Sequence, residues 1–411
     1  LKAFNTFDTA LRLNLLTLFT AGLVFWSSMG LLLPVLPLYI QDLGASKQQI
    51  GMVIGGFAIG LLLFRPMLGR LADQHGRKLL LLIGTTIAAI APLGYLAFTS
   101  VPLLMLVRIF HGISMAAFTT GFSALVADLA PLKQRGEIIS YMSLAAPLGL
   151  AFGPALGGYL QATTGYGILF LLATEIAFIG VLASIQVINP PPVQRQSPVP
   201  SKKTNFWRIL ISPRIRVPAI VMLFAGLSLG SVHTFLPLFI QETGVDLNAG
   251  LFFTVSAIAS FTLRIFVGRA SDRFGRGLFI TFGILAYTLT TLLLWQARSS
   301  SIFLLAGITE GLGGGTLISM ITTLMADRSL PEERGQIFAL CIAGFDFGLA
   351  IAAPILGFVA EQVGYPNMFA GTACLTFLGL IIFLTQSNKN VPSSLRFALG
   401  RGEDSYSLNK L

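Results

Sequence analysis

Long apolar runs separated by short polar intervals set the pattern of this chain. Each run holds about 20 residues, the length an α-helix needs to cross a hydrocarbon core ~30 Å thick. Twelve such spans are predicted: residues 13–40, 50–68, 79–98, 102–127, 138–160 and 167–188, then 216–241, 249–267, 278–296, 302–325, 335–360 and 366–385. No segment shows the short alternating pattern of a membrane β-strand. Backbone polar groups in lipid must be satisfied within their own segment, so the expected class is an all-α membrane protein.

Composition agrees: 54% of the 411 residues are hydrophobic and 11% are charged, against about 25% charged in soluble domains. The first apolar run is too long for a signal-peptide core and lacks a small-residue cleavage site, so a cleavable leader is not expected. Net charge is +10, and the distribution of the basic residues decides its meaning. Of the 27 Lys and Arg, 22 fall in intervals on the side of both termini, two on the opposite side, and Arg65, Arg108 and Arg264 in or at the ends of spans. This is the positive-inside asymmetry, which predicts a cell-membrane protein with both termini cytoplasmic. No nucleic-acid partner is expected. The two cysteines, Cys341 and Cys374, lie inside predicted spans and suggest neither a disulfide framework nor a metal site.

The chain also repeats itself. "LPLYIQDLGAS" at Leu36 returns as "LPLFIQETGVD" at Leu236, and "GRLADQHGRK" at Gly69 returns 199 residues later as "GRASDRFGRG" at Gly268, identical at five of ten positions. Arg65 and Arg264 keep that spacing, as do Arg135 and Arg334, and Tyr166 and Tyr365. Two parallel six-helix halves follow, 1–188 and 216–388. A proline-rich basic linker at 189–215 joins them, and a cytoplasmic tail occupies 389–411. Repeats of this kind are common in transporters whose substrate site lies near the bilayer midplane.

Six-plus-six spans with Gly69-x-x-x-Asp73-x-x-Gly76-Arg77-Lys78 between the second and third resemble the major facilitator superfamily of secondary transporters. Gly69 and Gly76 suit a tight, mobile joint, and Arg77 and Lys78 hold it at the cytoplasmic surface. Topology alone does not account for the recurrence of the glycines and the acid as Gly268, Gly275 and Asp272, beside Arg276. The resemblance implies a gate in which Asp73 contacts the start of the eleventh span, near Arg334 and Gly335, in one conformation and releases it in the other.

The fifth span carries "GLAFGPALGG", with Gly149, Gly153, Pro154, Gly157 and Gly158. Small residues at this spacing permit close helix contact, and Pro154 lacks an N–H and weakens its turn. The whole pattern is similar to the fifth-helix motif of antiporters in the family that export drugs or metabolites. Generic packing is the alternative.

Ionisable side chains inside spans are functional candidates because of their cost in lipid. Arg108 and His111 form "VRIFHG" in the fourth span, resembling an Arg-x-x-Gln-Gly motif of proton-coupled members, with His111 in place of Gln. His111 either titrates or donates an interhelical hydrogen bond. Arg108 requires an anion, from an acid or from the substrate. Glu310, opening "EGLGGG" whose glycines are expected to let its helix flex, and Asp346 in "GFDFG" are the candidate proton carriers. Glu175 reads as a local contact, and His233 and Trp26 complete the cavity candidates.

No P-loop, zinc spacing or nucleophile elbow is found, so no enzyme, cofactor or metal is expected. The reading is a secondary transporter acting as a monomer and exporting small amphipathic drugs or metabolites against protons. An uptake symporter or facilitator for a sugar or organic anion is the second possibility, and a sensor or scaffold that moves no solute is the third.

Overall fold

The computed structural model describes residues 8–131, 134–189, 212–329 and 334–408. The predicted linker falls mostly on 190–211, outside the described residues. Thirteen helices are present among those described, and no strand. They are α1 (Thr9–Leu32), α2 (Leu36–Asp42), α3 (Lys47–His75), α4 (Arg77–Ala97), α5 (Val101–Leu129), α6 (Arg135–Met142) and α7 (Ala145–Gln186). The remainder are α8 (Arg216–Thr243), α9 (Ala249–Phe274), α10 (Arg276–Trp295), α11 (Ser300–Asp327), α12 (Arg334–Gln386) and α13 (Val391–Ala398).

Among the described residues ten stretches are long and apolar enough to cross a membrane. Two of them, Ala145–Gln186 and Leu340–Gln386, run 42 and 47 residues, each long enough at ~1.5 Å per residue for two crossings of ~30 Å. Each turns at a glycine with positive φ, Gly165 (80°) and Gly364 (78°), a conformation that side-chain-bearing residues rarely adopt. Counting each arm separately gives twelve crossings. The chain is therefore a multi-pass membrane protein.

Prolines explain two departures from the predicted spans. Pro34 has no N–H to donate, and the first span divides at residues 33–35 into α1 and α2. Pro147 clashes with a helical carbonyl four residues back, and the chain breaks between α6 and α7 at Ser143 and Leu144. Helix α3 opens with a reciprocal cap in which the Ser46 hydroxyl accepts from the Gln49 N–H (3.3 Å) and the Gln49 side chain accepts from the Ser46 N–H (2.9 Å).

The chain forms two compact units, Leu1–Gln196 with Asn248–Thr254, and Ser197–Leu247 with Val255–Leu411. Leu15, Leu18, Phe25, Leu81, Phe118 and Leu125 centre the first core. The second is built on Val221, Ile280, Ile284, Leu317, Leu324 and Phe383. Large apolar side chains such as Leu63, Leu106, Ile179 and Ile185 remain exposed, which suits a hydrocarbon surrounding.

The segment after residue 388 is not a trailing tail. It contains α13, docked on the second core through Phe397 and Ala398.

Candidate functional site

The duplicated polar motif is mostly helix. Residues Gly69 to His75 belong to α3, and the whole turn into α4 is made by Gly76, with φ 90° and its N–H on the Ala72 carbonyl (3.0 Å). Gly275 repeats this between α9 and α10, with φ 87° and its N–H on Ser271 (3.0 Å). Gly69 and Gly268 differ from expectation. Both sit within regular helix, and a Cβ added to either meets nothing within 4 Å, so neither supplies a tight turn.

Arg77 and Arg276 start the helices that follow. Arg77 Nε lies 2.9 Å from Asp128 Oδ2 at the end of α5. Arg276 pairs with Asp327 at the end of α11 and lies 3.4 Å from Asp272. Asp128 and Asp327 stand 199 residues apart, the spacing of the repeat itself, and sequence reasoning passed over both. Lys78 donates from Nζ to the Ile185 carbonyl (2.6 Å), and its N–H bonds Asn189 Oδ1 (3.2 Å). The side chains of Asp73, Arg334 and Gly335, which the gating expectation concerns, lie outside those described.

Within the first unit the glycines of α7 bring backbones together. A Cβ at Gly149 would stand 2.6 Å from Trp26 Cβ, one at Gly153 would stand 2.7 Å from the Ser27 carbonyl, and one at Gly157 would overlap the carbonyl of Leu31. Gly158 faces Asn248, and Gly250 faces the Pro154 carbonyl. Thr254 donates to the Ala151 carbonyl at 3.0 Å. Pro154 is accommodated inside α7 without a break.

The same backbone contact occurs once in each unit and carries different chemistry. Gly112 of α5 packs on the Phe57 carbonyl of α3, and Gly311 of α11 packs on the Ser256 carbonyl of α9. Both partners obey the 199-residue repeat. Beside the first contact, His111 lies edge-on to Phe57 with centroids 5.6 Å apart. Beside the second, Glu310 hydrogen-bonds Ser256. The glycines after Glu310 are taken up in helix contacts. Gly311 and Gly315 seat the α9 backbone at Ser256 and Ser260, Gly313 seats the Tyr287 ring, and α11 stays helical throughout.

Around His111 the bonding is directional. Its Nδ1 lies 3.0 Å from the Tyr95 hydroxyl and 3.4 Å from Arg108 Nη1. A guanidinium only donates, so Nδ1 accepts and the ring proton resides on Nε2. Arg108 also stacks over Phe57, 4.4 Å from the ring centroid. Arg108 Nε and His111 Nε2 are buried without a hydrogen-bond partner among the described residues. No acidic side chain pairs with Arg108 among them.

Glu310 is 5% exposed, and its carboxyl meets a hydroxyl rather than a cation among the described residues. Trp26, His233 and Asp346 are half-buried; Trp26 meets Phe25 edge-on at 5.8 Å. Glu175 is exposed on its span.

The chain is 26% identical over 361 residues to Multidrug resistance protein 1 of Bacillus subtilis, covering 84% of this chain and 92% of that one. It is 26% identical over 366 residues to the multi-drug resistance efflux pump PmrA of Streptococcus pneumoniae, covering 85% and 90%. The crystal structure of the nucleoside transporter NupG shares the fold, with TM-score 0.74 at 16% identity over 90% of this chain and 98% of that one. The family described as Major Facilitator Superfamily matches residues 18–269 and 219–401. With twelve crossings, a duplicated arginine–aspartate turn and family matches across both halves, the chain belongs to the Major Facilitator Superfamily of membrane transporters.

Proposed function

We propose that this transporter exports small amphipathic compounds in exchange for protons, by alternating access between halves 1–188 and 216–388, as a monomer with both termini in the cytoplasm. The observation that carries the proton half of this reading is Glu310 on Ser256. A carboxylate accepts from a serine hydroxyl, and a carboxylic acid donates to the same oxygen. Rotation of one O–H therefore accommodates both protonation states of a carboxyl that pairs with no cation among the described residues. Asp346, half-buried on α12, is the second candidate carrier.

The export half is supported by the resemblance to Multidrug resistance protein 1 and PmrA over more than four-fifths of the chain. The packed glycines Gly149, Gly153 and Gly157 hold α7 against α1 as a stiff wall, and Trp26, His233 and Arg108 are kept as candidate substrate contacts. Cells expressing the protein should accumulate less of a fluorescent lipophilic compound than cells lacking it, and a protonophore should remove the difference. Equal accumulation with and without the protein would exclude export of that compound.

A second reading rests on Arg108. Its unpartnered Nε and the His111 Nε2 proton are two donors without acceptors among the described residues, as a site for an organic anion taken up rather than expelled would present. Uptake of a labelled carboxylate that is lost in Arg108→Gln, with no effect on lipophilic compounds, would favour it.

Asp73 is assigned to the gate that closes the cytoplasmic side. Asp73→Asn should slow turnover by roughly tenfold, the scale of a conformational coupling of 1–3 kcal/mol, with substrate affinity retained. Initial rates and equilibrium binding in proteoliposomes measure the two separately. Unchanged turnover would remove the gating role.

A further inference from the structure

Beyond the last span the chain makes a short helix whose ends are both fixed by sequence. The Asn390 side chain accepts from the Ser393 N–H (2.9 Å) and the Ser393 hydroxyl accepts from the Asn390 N–H (3.2 Å), which caps the start of α13. At its end Gly400, with φ 71°, lets the Arg401 N–H reach the Arg396 carbonyl (2.7 Å) and its own N–H reach Phe397 (3.0 Å).

One face of α13 is packed on the second unit. Phe397 lies 6.1 Å from the Phe383 ring, and the Ala398 carbonyl accepts from the Thr281 hydroxyl at 2.8 Å. Phe383 is in the last turn of α12 and Thr281 is near the start of α10. The helix therefore lies level with the ends of two spans, at the border of hydrocarbon and headgroups.

The chain is then tied down again. Both Asp404 oxygens bind Arg328, through Nε at 2.7 Å and Nη2 at 2.9 Å. Arg328 is 1% exposed and also donates to the carbonyls of Arg214 and Ser387, each at 2.9 Å. The Leu408 N–H bonds the Asp327 carbonyl at 2.8 Å.

The other face of α13 is left partly open among the described residues. Val391, Leu395 and Leu399 are 50%, 39% and 49% exposed, and their spacing puts them within an arc of roughly 80°. Lys389, Arg396 and Arg401 are exposed around this stripe. Asp404 is taken by Arg328, leaving Glu403 as the other acid of the segment, so the surface is basic.

We propose that α13 is an interfacial helix that seats Val391, Leu395 and Leu399 among acyl chains and binds anionic phospholipid headgroups through Lys389, Arg396 and Arg401. The Arg328–Asp404 pair holds it at that depth. Apolar residues beside basic ones at the end of a span match an anionic leaflet in both hydrophobicity and charge.

The test uses the full chain in nanodiscs of POPC alone or of POPC with POPG. Hydrogen exchange across 391–399 should slow by about tenfold when POPG is added. The triple variant Lys389→Gln, Arg396→Gln, Arg401→Gln should lose that response while keeping its melting temperature in detergent. A fluorophore on Leu395→Cys, with Cys341 and Cys374 replaced by alanine, should be quenched by a nitroxide on the lipid and not by a water-soluble one. Exchange indifferent to POPG, or a triple variant that still responds, overturns the headgroup assignment. A label quenched from water overturns the membrane placement and assigns the stripe to a soluble partner.

Discussion

Replacing Glu310 with glutamine should abolish gradient-driven transport while leaving substrate exchange between the two membrane faces intact. Glutamine keeps the length of the side chain and a hydrogen bond to Ser256, and it loses the proton. The expected fall in pH-driven flux is about 100-fold or more, the scale on which removal of a positioned proton-transfer group acts. Counterflow with no gradient, which requires binding and conformational change but no net proton movement, should stay within about twofold. Ser256→Ala is the companion. It leaves the carboxyl without its neighbour, and it should weaken coupling less than the loss of the carboxyl does. Parallel losses of driven flux and counterflow in Glu310→Gln would mean that Glu310 serves binding or structure.

The second large effect is steric. Gly157→Val should prevent a stable fold, because the added side chain would enter the carbonyl of Leu31 on α1. A backbone atom inside a helix cannot move aside as a side-chain tip does, and overpacking a tight contact costs about 1–3 kcal/mol even where neighbours give way. Gly167, on the following arm of α7, has nothing within 4 Å of an added Cβ, so Gly167→Val is the control. In detergent, Gly157→Val should elute as aggregate or melt well below the parent, with Gly167→Val unchanged. Equal stability of the two variants would contradict the close packing of α7 on α1.

Twelve crossings and their duplication were legible because lipid imposes them on the sequence: each crossing needs a contiguous apolar run, and a repeated fold keeps a repeated offset. The offset held more than was taken from it. It also relates Asp128 to Asp327, the partners of Arg77 and Arg276, and Phe57 to Ser256, the neighbours of His111 and Glu310. Neither aspartate stood out in the sequence, because each lies at a helix end where a charge needs no explanation.

Other features were hidden for a different reason. The glycines after Glu310 suggested a flexible helix, but what a helical glycine packs against is not written in its own segment, and here that is the backbone of α9. His111 read as a donor or a titrating group, and the sharing of its Nδ1 by Arg108, one turn before it, and Tyr95 of another helix is not visible in the sequence. The caps of α13 were present in Asn390, Ser393 and Gly400. Its docking depends on Asp404 meeting Arg328 across 76 positions, which no local pattern records.

Proton movement elicited by substrate tests the account most directly. In proteoliposomes carrying the purified chain and a trapped pH indicator, an outward substrate gradient imposed without a pH gradient should drive protons the opposite way. Glu310→Gln should show no pH change while it retains substrate counterflow. A wild-type protein that moves substrate while the internal pH stays constant would contradict the proposed exchange.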